Sequence, residues 1–358
     1  MISTATTPTG RDVLTHSSMA CFKSCRQKYY WSYELGWRPD KSTSPLRIGQ
    51  QVHEGLNLLA KGFTPEQVVD VLRSNYDGLN EHNALDLQYE RETVVCLVLG
   101  YHTAWGNSQV EIIESETAFD LPIINPNSNA ITSFRQAGKR DRVCRLPDGR
   151  IALMETKTVG EDISPGSDYR NVLSINQQIS MYVNAAIAEG KQIDTTLYDC
   201  IRKPTIRPCP VPMTDYEGKK IVLDAEGNRV LKKNGEPRQT ADTAQGYVLQ
   251  TRDMTPEEWA RKLSDDIAER PDYYYQRFEV PRLADDLEAF NTELWMIAKD
   301  ISECRRTGRW YRNTANCRMF HSMCPYYPLC AGEKDTSNGV PAGFRQAETV
   351  HEELTEGE

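Results

Sequence analysis

Asp141, Glu155 and Lys157 are the residues of this chain whose types and spacing point most directly to chemistry. Glu155 and Lys157 lie two apart in RIALMETKT, a β-favourable run, so they face the same side of a strand. Hydrolysing a phosphodiester requires carboxylates that hold a hard divalent cation through oxygen, and a nearby ammonium that orients water and offsets charge on the phosphorane. One acid from each arm of a hairpin, with a lysine beside the second, supplies both. Taken alone, Glu-x-Lys is explained more simply as a same-face ion pair. Two further pairs keep it company. Gly49-x-x-x-His53 lies upstream and Gln178-x-x-x-Tyr182 downstream, each with the i, i+4 spacing that puts both members on one helical face. A histidine beside an apolar stripe is by itself more often structural, so the case rests on the whole ordered set.

Periodicity shows which elements must position these residues. RIGQQVHEGLNLL places Ile48, Val52, Leu56 and Leu59 at steps of four, four and three, an amphipathic helix with His53 beside its stripe. Thr64-Pro65-Glu66-Gln67 carries an N-cap, a first-turn proline and a capping-box glutamine, and a third helix is expected from Leu85 to Trp105. The period then shortens to β-favourable runs: VEIIESETAFDLPI, ITSFRQ, RDRVCRL and RIALMETKT. Pro147-Asp148-Gly149 reads as a hairpin turn. A two-residue turn pairs positions whose numbers sum to 297 and sets Asp141 across from 156; a three-residue turn sums to 296 and makes the partner 155. Glu114 and Glu116 precede Asp141 and could add a carboxylate to the metal site, although alternation on a half-exposed strand accounts for both more simply. Beyond the sheet the sequence predicts a helix from Ser174 to about Glu189 and a strand at LYDCIRK. An irregular arm follows, turning at Glu226-Gly227-Asn228. A helix then opens at Thr255-Pro256-Glu257-Glu258, and a long one runs through Leu283, Phe290, Leu294 and Ile301.

Composition bounds the rest. With 358 residues, 39% hydrophobic and 26% charged, collagen-like, low-complexity and fully disordered classes fall away. No run of 18 apolar residues and no apolar leader occur, so the expectation is a cytoplasmic protein without a membrane partner. The net charge of −9 understates basic surface, because the acidic tail from Glu333 contributes −5. A basic footprint between Lys23 and Arg47 remains able to meet phosphates. Everything after Ala331 reads as disordered. Ten cysteines in a reducing compartment point to metal or reactivity rather than disulfides. Cys96, Cys144, Cys200, Cys209 and Cys304 are scattered, ordinary thiols, whereas Cys21, Cys25, Cys317, Cys324 and Cys330 gather at the two ends.

In order, the chain presents Cys25-x-x-Lys28-Tyr29-Tyr30, Gly49-x-x-x-His53, Gly138-Lys139-Arg140-Asp141-Arg142-Val143, Glu155-Thr156-Lys157 and Gln178-x-x-x-Tyr182. This series resembles the PD-(D/E)XK nuclease superfamily, over roughly residues 20 to 330. Within it, the series is similar to the RecB-like branch that includes the iron–sulfur exonucleases of CRISPR adaptation and the AddB nuclease domain. The resemblance implies an α/β (α+β) fold, a mixed central β-sheet flanked by helices around a restriction-endonuclease-like core. It implies that His53, Asp141 and Glu155 hold Mg2+ or Mn2+, that Lys157 assists the attacking water, and that Gln178 and Tyr182 support the active site and bound DNA. The proline that usually precedes the first acid is absent, with Arg140 in its place. Arg26, Lys28 and Arg140 are candidate contacts to nucleic acid.

By the same resemblance Cys25, Cys317, Cys324 and Cys330 hold a 4Fe-4S cluster that fastens the N-terminal segment to the C-terminal helices. The branch's tight Cys-x-x-Cys is missing, so zinc or bare thiols stay open, and Cys21 is a rival first ligand. The implied organisation is an N-terminal extension (1–20), a helical segment (21–105), a nuclease core (106–202), an insertion arm (203–250), C-terminal helices with cluster cysteines (251–331) and a disordered acidic tail (332–358). The leading reading is a metal-dependent DNA exonuclease acting on single strands or duplex ends in recombination, repair or phage DNA metabolism. A helicase, annealing protein or integrase is its expected class of partner. Two alternatives stand beside it: a non-catalytic nucleic-acid-binding or assembly subunit that keeps the nuclease fold, and a zinc-stabilised scaffold.

Overall fold

A computed structural model describes residues 10–40, 44–79, 84–319 and 322–354. β1 (Val13–Leu14) leads into α1 (His16–Ser24), capped by a Thr15–Ser18 capping box. The short α2 (Arg26–Tyr29), a π-helical turn (Tyr30–Glu34) and β2 (Trp37–Pro39) follow. Three helices then pack together: α3 (Ser44–Ala60), α4 (Pro65–Ser74) and α5 (Ala84–Trp105). α4 starts where its sequence signature places it. The Thr64 amide donates to Gln67 Oε1 at 2.9 Å and the Gln67 amide to Thr64 Oγ1 at 3.3 Å, so two otherwise orphaned donors are satisfied.

A meander of β3 (Glu111–Ile124), β4 (Ile131–Arg145) and β5 (Ile151–Val159) comes next. α6 (Asp168–Leu173) and α7 (Gln177–Ala188) form the crossover to β6 (Thr195–Arg202). The arm beyond residue 203 carries four two-residue strands, β7 (Val211–Pro212), β8 (Val222–Leu223), β9 (Val248–Leu249) and β10 (Thr251–Arg252). The chain continues through α8 (Pro256–Glu269), α9 (Pro271–Tyr274), β11 (Tyr275–Glu279) and α10 (Ala284–Thr307). β12 (Arg318–Met319), β13 (Ser322–Met323), α11 (Tyr327–Cys330) and β14 (Phe344–Gln346) close it.

The central sheet is mixed and six-stranded, ordered β1-β4-β5-β6-β11 with β3 on the other edge of β4. β5 and β6 run parallel, and the remaining pairs are antiparallel apart from β1 with β4. β6 is buried over all but its last residue and β5 over five consecutive residues, so polar residues such as Glu155, Thr156 and Asp199 lie inside the fold. One core packs α1, α7 and α10 with the sheet, through Met19, Phe22, Ile179, Met181, Leu294 and Ile301. The second joins α3, α4, α5 and α8 around Val52, Leu72, Leu97, Trp259 and Leu263. The sheet that positions the site is therefore held between two helical layers, as expected for this fold class. No helix among the described residues is long and apolar enough to cross a membrane.

Beyond the 106–202 stretch, β1 and β11 also join the central sheet; strands of two and five residues leave little periodicity to read. One expectation is corrected here: the tail is not disordered through residue 354. Residues 344–346 pair antiparallel with β2, and Ala347, Val350 and His351 are buried. Few apolar residues suffice, because β2 offers its edge and Arg38 donates to the Val350 carbonyl at 2.5 Å.

Candidate active site

Geometry at the β4–β5 hairpin places the acids. The observed pairs, Arg145 with Ile151 through Arg142 with Met154, sum to 296, the register in which Asp141 faces Glu155. The regular ladder ends there. Asp141 Oδ2 instead accepts the Thr156 amide at 2.9 Å, so a side chain replaces the backbone partner where the strands separate. His53, on α3, brings Nδ1 to 3.9 Å from the same oxygen. Three of the residues singled out in the sequence thus meet where the two strands diverge.

Glu155 and Lys157 share a face of β5, as the two-residue period requires, with Lys157 Nζ 2.7 Å from Glu155 Oε1. Glu155 is only 1% exposed and its Oε2 has no hydrogen-bond partner among the described residues. Burial, and then the charge of Asp141, push its carboxyl up to about 7. Burial alone would lower the Lys157 ammonium, but the carboxylates of Glu155 and Asp141 outweigh it and raise the lysine. Lys157 also donates to Gln178 Oε1 at 2.5 Å, and Gln178 Nε2 donates to the Tyr182 hydroxyl at 3.0 Å. Their i, i+4 spacing on α7 makes this relay possible. Tyr182 in turn meets Phe119 edge-on, at 5.7 Å between ring centroids. A Cβ at Gly138 would lie 2.7 Å from Phe119 and 3.0 Å from Tyr182, so only glycine admits both rings. Gly49 has no such constraint, for a Cβ there would meet nothing within 4 Å.

Two further residues bear on this site, one weighed in the sequence as an optional carboxylate and one with no role there. Glu116 lies between Ser115, paired with Arg142, and Thr117, paired with Arg140, which sets it across from Asp141. Its φ of 53° is rare outside glycine. It accepts from Asn57 Nδ2 at 3.0 Å, pairs with Lys139, and lines a cavity of about 670 Å3 with His53, Glu54 and Asp141. Alternation accounts for Glu116 in the sequence, and the kinked backbone that redirects it is not visible there. The other is His16, at the start of α1. Its imidazole is lowered to about 4 by burial and then by Lys157 and Lys23. A lone histidine in an N-terminal extension carries no signal of such a neighbour.

Arg140 is corrected as a nucleic-acid contact: it is fully buried and forks onto Glu189 at 3.1 and 2.7 Å. A guanidinium on a central strand faces inward, where an acid must neutralise it. Arg26 pairs with Asp300 at 2.6 Å and packs over Phe22 and Tyr311. Lys28 lies with Cys25, Cys317, Cys324 and Cys330 around a separate cavity of about 190 Å3. The Asn313 amide donates to Cys25 Sγ at 3.3 Å, and the Cys324 amide to the Cys317 carbonyl at 2.8 Å. Cys21 faces away to the Ser32 hydroxyl, 3.6 Å off. The four thiols surround one space without closing on it. Among the described residues, no three His, Cys, Asp or Glu side chains converge tightly enough to hold a metal ion as they stand.

A search of curated proteins gives no match. Among solved structures the chain is similar to a protein described as "Crystal structure of SSO0001", at 13% identity over 54% of this chain and 64% of that one, with a TM-score of 0.23. This chain thus covers less than two thirds of that protein, and a likeness so slight carries no argument. The profile of the PD-(D/E)XK nuclease superfamily, by contrast, matches residues 13–331, from β1 through α11. A match over that span, on a mixed sheet flanked by helices, makes this chain a member of the PD-(D/E)XK nuclease superfamily.

Proposed function

We propose that this chain is a metal-dependent DNA exonuclease that trims ends in recombination, repair or phage DNA metabolism. The observation that carries the reading is Glu155: a buried carboxylate with one oxygen on Lys157 and the other without a partner among the described residues, beside Asp141 and His53. The second oxygen, and the neighbouring Asp141 charge, are costly to bury without a further cation to meet them. Asp141, Glu155 and His53 would hold Mg2+ or Mn2+; an ion bound there polarises the scissile phosphate and counters charge on the departing oxygen. Lys157, steadied by Gln178 and Tyr182, orients the attacking water and offsets negative charge as the new P–O bond forms and the ester P–O bond breaks.

The same proposal gives Cys25, Cys317, Cys324 and Cys330 a 4Fe-4S cluster, supported by their shared cavity and by the match of soft thiolates to iron. Its role is mechanical, tying the chain after α1 to the chain after α10. A helicase, annealing protein or integrase is the class of partner that end trimming serves.

Digestion of 5′-labelled and 3′-labelled single and double strands, with Mg2+ or Mn2+, tests the enzymatic reading. Wild-type protein should cleave and Lys157→Ala should bind DNA without cleaving. Near-wild-type digestion by Lys157→Ala overturns the mechanism, and binding without cleavage by the wild type selects the non-catalytic alternative. For the cluster, protein purified without oxygen should be brown with close to four irons per chain. Colourless protein with one zinc selects a tetrahedral thiolate site instead. Cys21→Ala should keep the colour and Cys25→Ala should lose it.

A further inference from the structure

The segment after α10 builds a surface that hydrolysis at Lys157 does not use. From Arg305 to Arg318 the chain holds five arginines and no acidic residue. Arg305 is neutralised by Asp12 and Glu34, and Arg306 by Glu303. Arg312 donates to the Cys330 carbonyl at 3.0 Å and, like Arg309 and Arg318, forms no ion pair among the described residues. Next to it lies a cavity of about 610 Å3 lined by Gln27, Trp31, Trp310, Tyr311, Arg312 and Cys330, among others, with no acidic group in its wall. Trp310 is fixed in place, 5.9 Å from the buried ring of Tyr29 and nearly parallel to it. Tyr311 stays 61% exposed even though Arg26 packs on its ring at 4.6 Å.

Aromatic rings beside the Arg312 guanidinium, which has no ion pair among the described residues, are poorly suited to a basic or purely apolar partner. They suit a polymer that is apolar on one face and anionic along its backbone. Stacking on aromatic side chains, with arginine on the phosphates, binds single strands without reading their sequence.

Placement agrees with this. α1 packs against α7, the helix that carries Gln178. In its last turn Lys23 donates to Gln177, the neighbour of Gln178, and Gln27, three residues past its end, lines the cavity.

We propose that the Trp310–Tyr311–Arg312 cavity binds single-stranded DNA, stacking a base several nucleotides from the end held at Lys157. The identity of the polymer rests on the nuclease reading; the binding test does not. Affinity is measured by anisotropy and tryptophan fluorescence, without metal, in the Lys157→Ala background. The probes are an oligodeoxythymidylate about ten nucleotides long and its abasic counterpart. Adding Tyr311→Ala should weaken the thymidylate roughly 5- to 100-fold, the range of one lost base stack, and leave the abasic strand unchanged. Arg312→Gln should weaken both strands.

In an otherwise wild-type chain, Tyr311→Ala should hydrolyse bis(p-nitrophenyl) phosphate at the wild-type rate, because that ester is too short to reach the cavity. Unchanged thymidylate affinity in folded Tyr311→Ala overturns the proposal. So does an equal loss for the abasic strand, which would mean that no base is stacked. If the wild type cleaves no phosphodiester while Tyr311→Ala still loses thymidylate affinity, the enzymatic reading fails and the binding site stands.

Discussion

Glu155 is pulled in opposite directions. Burial and Asp141 favour its protonated form, whereas Lys157 favours the carboxylate. Between the ordinary carboxylate value and about 7, the folded chain holds a proton that the unfolded chain releases, so this group makes stability fall as pH rises through that window. Metal-free wild type should therefore lose urea stability relative to Glu155→Gln from pH 5 to pH 7.5; parallel curves for the two proteins would show that Glu155 is ionised throughout. Saturating Mg2+ should remove the difference. His53→Ala should lose most cleavage in Mg2+ and recover part of it in Mn2+, which the remaining carboxylates can hold with less exacting geometry than Mg2+ demands. Full activity of His53→Ala in Mg2+ would leave His53 a structural role only. The acid-acid-lysine set was legible in the sequence because strand period and hairpin arithmetic act over a few residues. Glu116 was not, since its place opposite Asp141 depends on a β3–β4 pairing and a positive φ that no local pattern encodes.

At the scale of elements, α7 is the part that aims the lysine. Asn176 caps it, its Oδ1 accepting the amides of Gln178 at 2.9 Å and Ile179 at 3.4 Å. Asn176→Ala should cost about 1 kcal/mol of stability and lower kcat more than KM, because Gln178 loses its fixed start. A thermal melt and steady-state kinetics on labelled DNA read the two effects. Gly138→Ala makes a second test of element packing. Its Cβ would press on Phe119 and Tyr182, so destabilisation of about 1–3 kcal/mol is expected, with slower cleavage as Tyr182 shifts off Gln178. A variant with wild-type melting and wild-type rate would show that β4 and α7 have room to part.

Across the whole molecule, the segments around Val13 and Val350 are tied to each other as well as to the core. Val350 is fully buried, and the His351 ring nitrogen Nε2 lies 2.8 Å from the Val13 carbonyl, beside the strand that enters the central sheet. Tyr326 donates to the Trp37 carbonyl at 2.8 Å, and Phe344 packs on Tyr326. Deleting residues 341–358 should therefore lower stability by at least about 2 kcal/mol in urea, from the loss of the Val350 contact alone. An unchanged midpoint would mean that this segment merely rests on the surface. The acidic composition that suggests disorder is real, yet a few well-placed contacts outweigh it.

The sequence by itself determined the helices with capping boxes and the hairpin that faces Asp141 with Glu155-Thr156-Lys157, from interactions within a turn or a strand, whereas His53, Gln178 and Tyr182 stood out only through the ordered series that resembles the nuclease superfamily. Tertiary structure decided what depends on distant partners. It buried Arg140 against Glu189, set Glu116 opposite Asp141, and separated Cys21 from the other terminal cysteines. Local periodicity reports which face of an element is apolar. Which other element meets that face is settled by packing across hundreds of residues, and that information is spread over the whole chain.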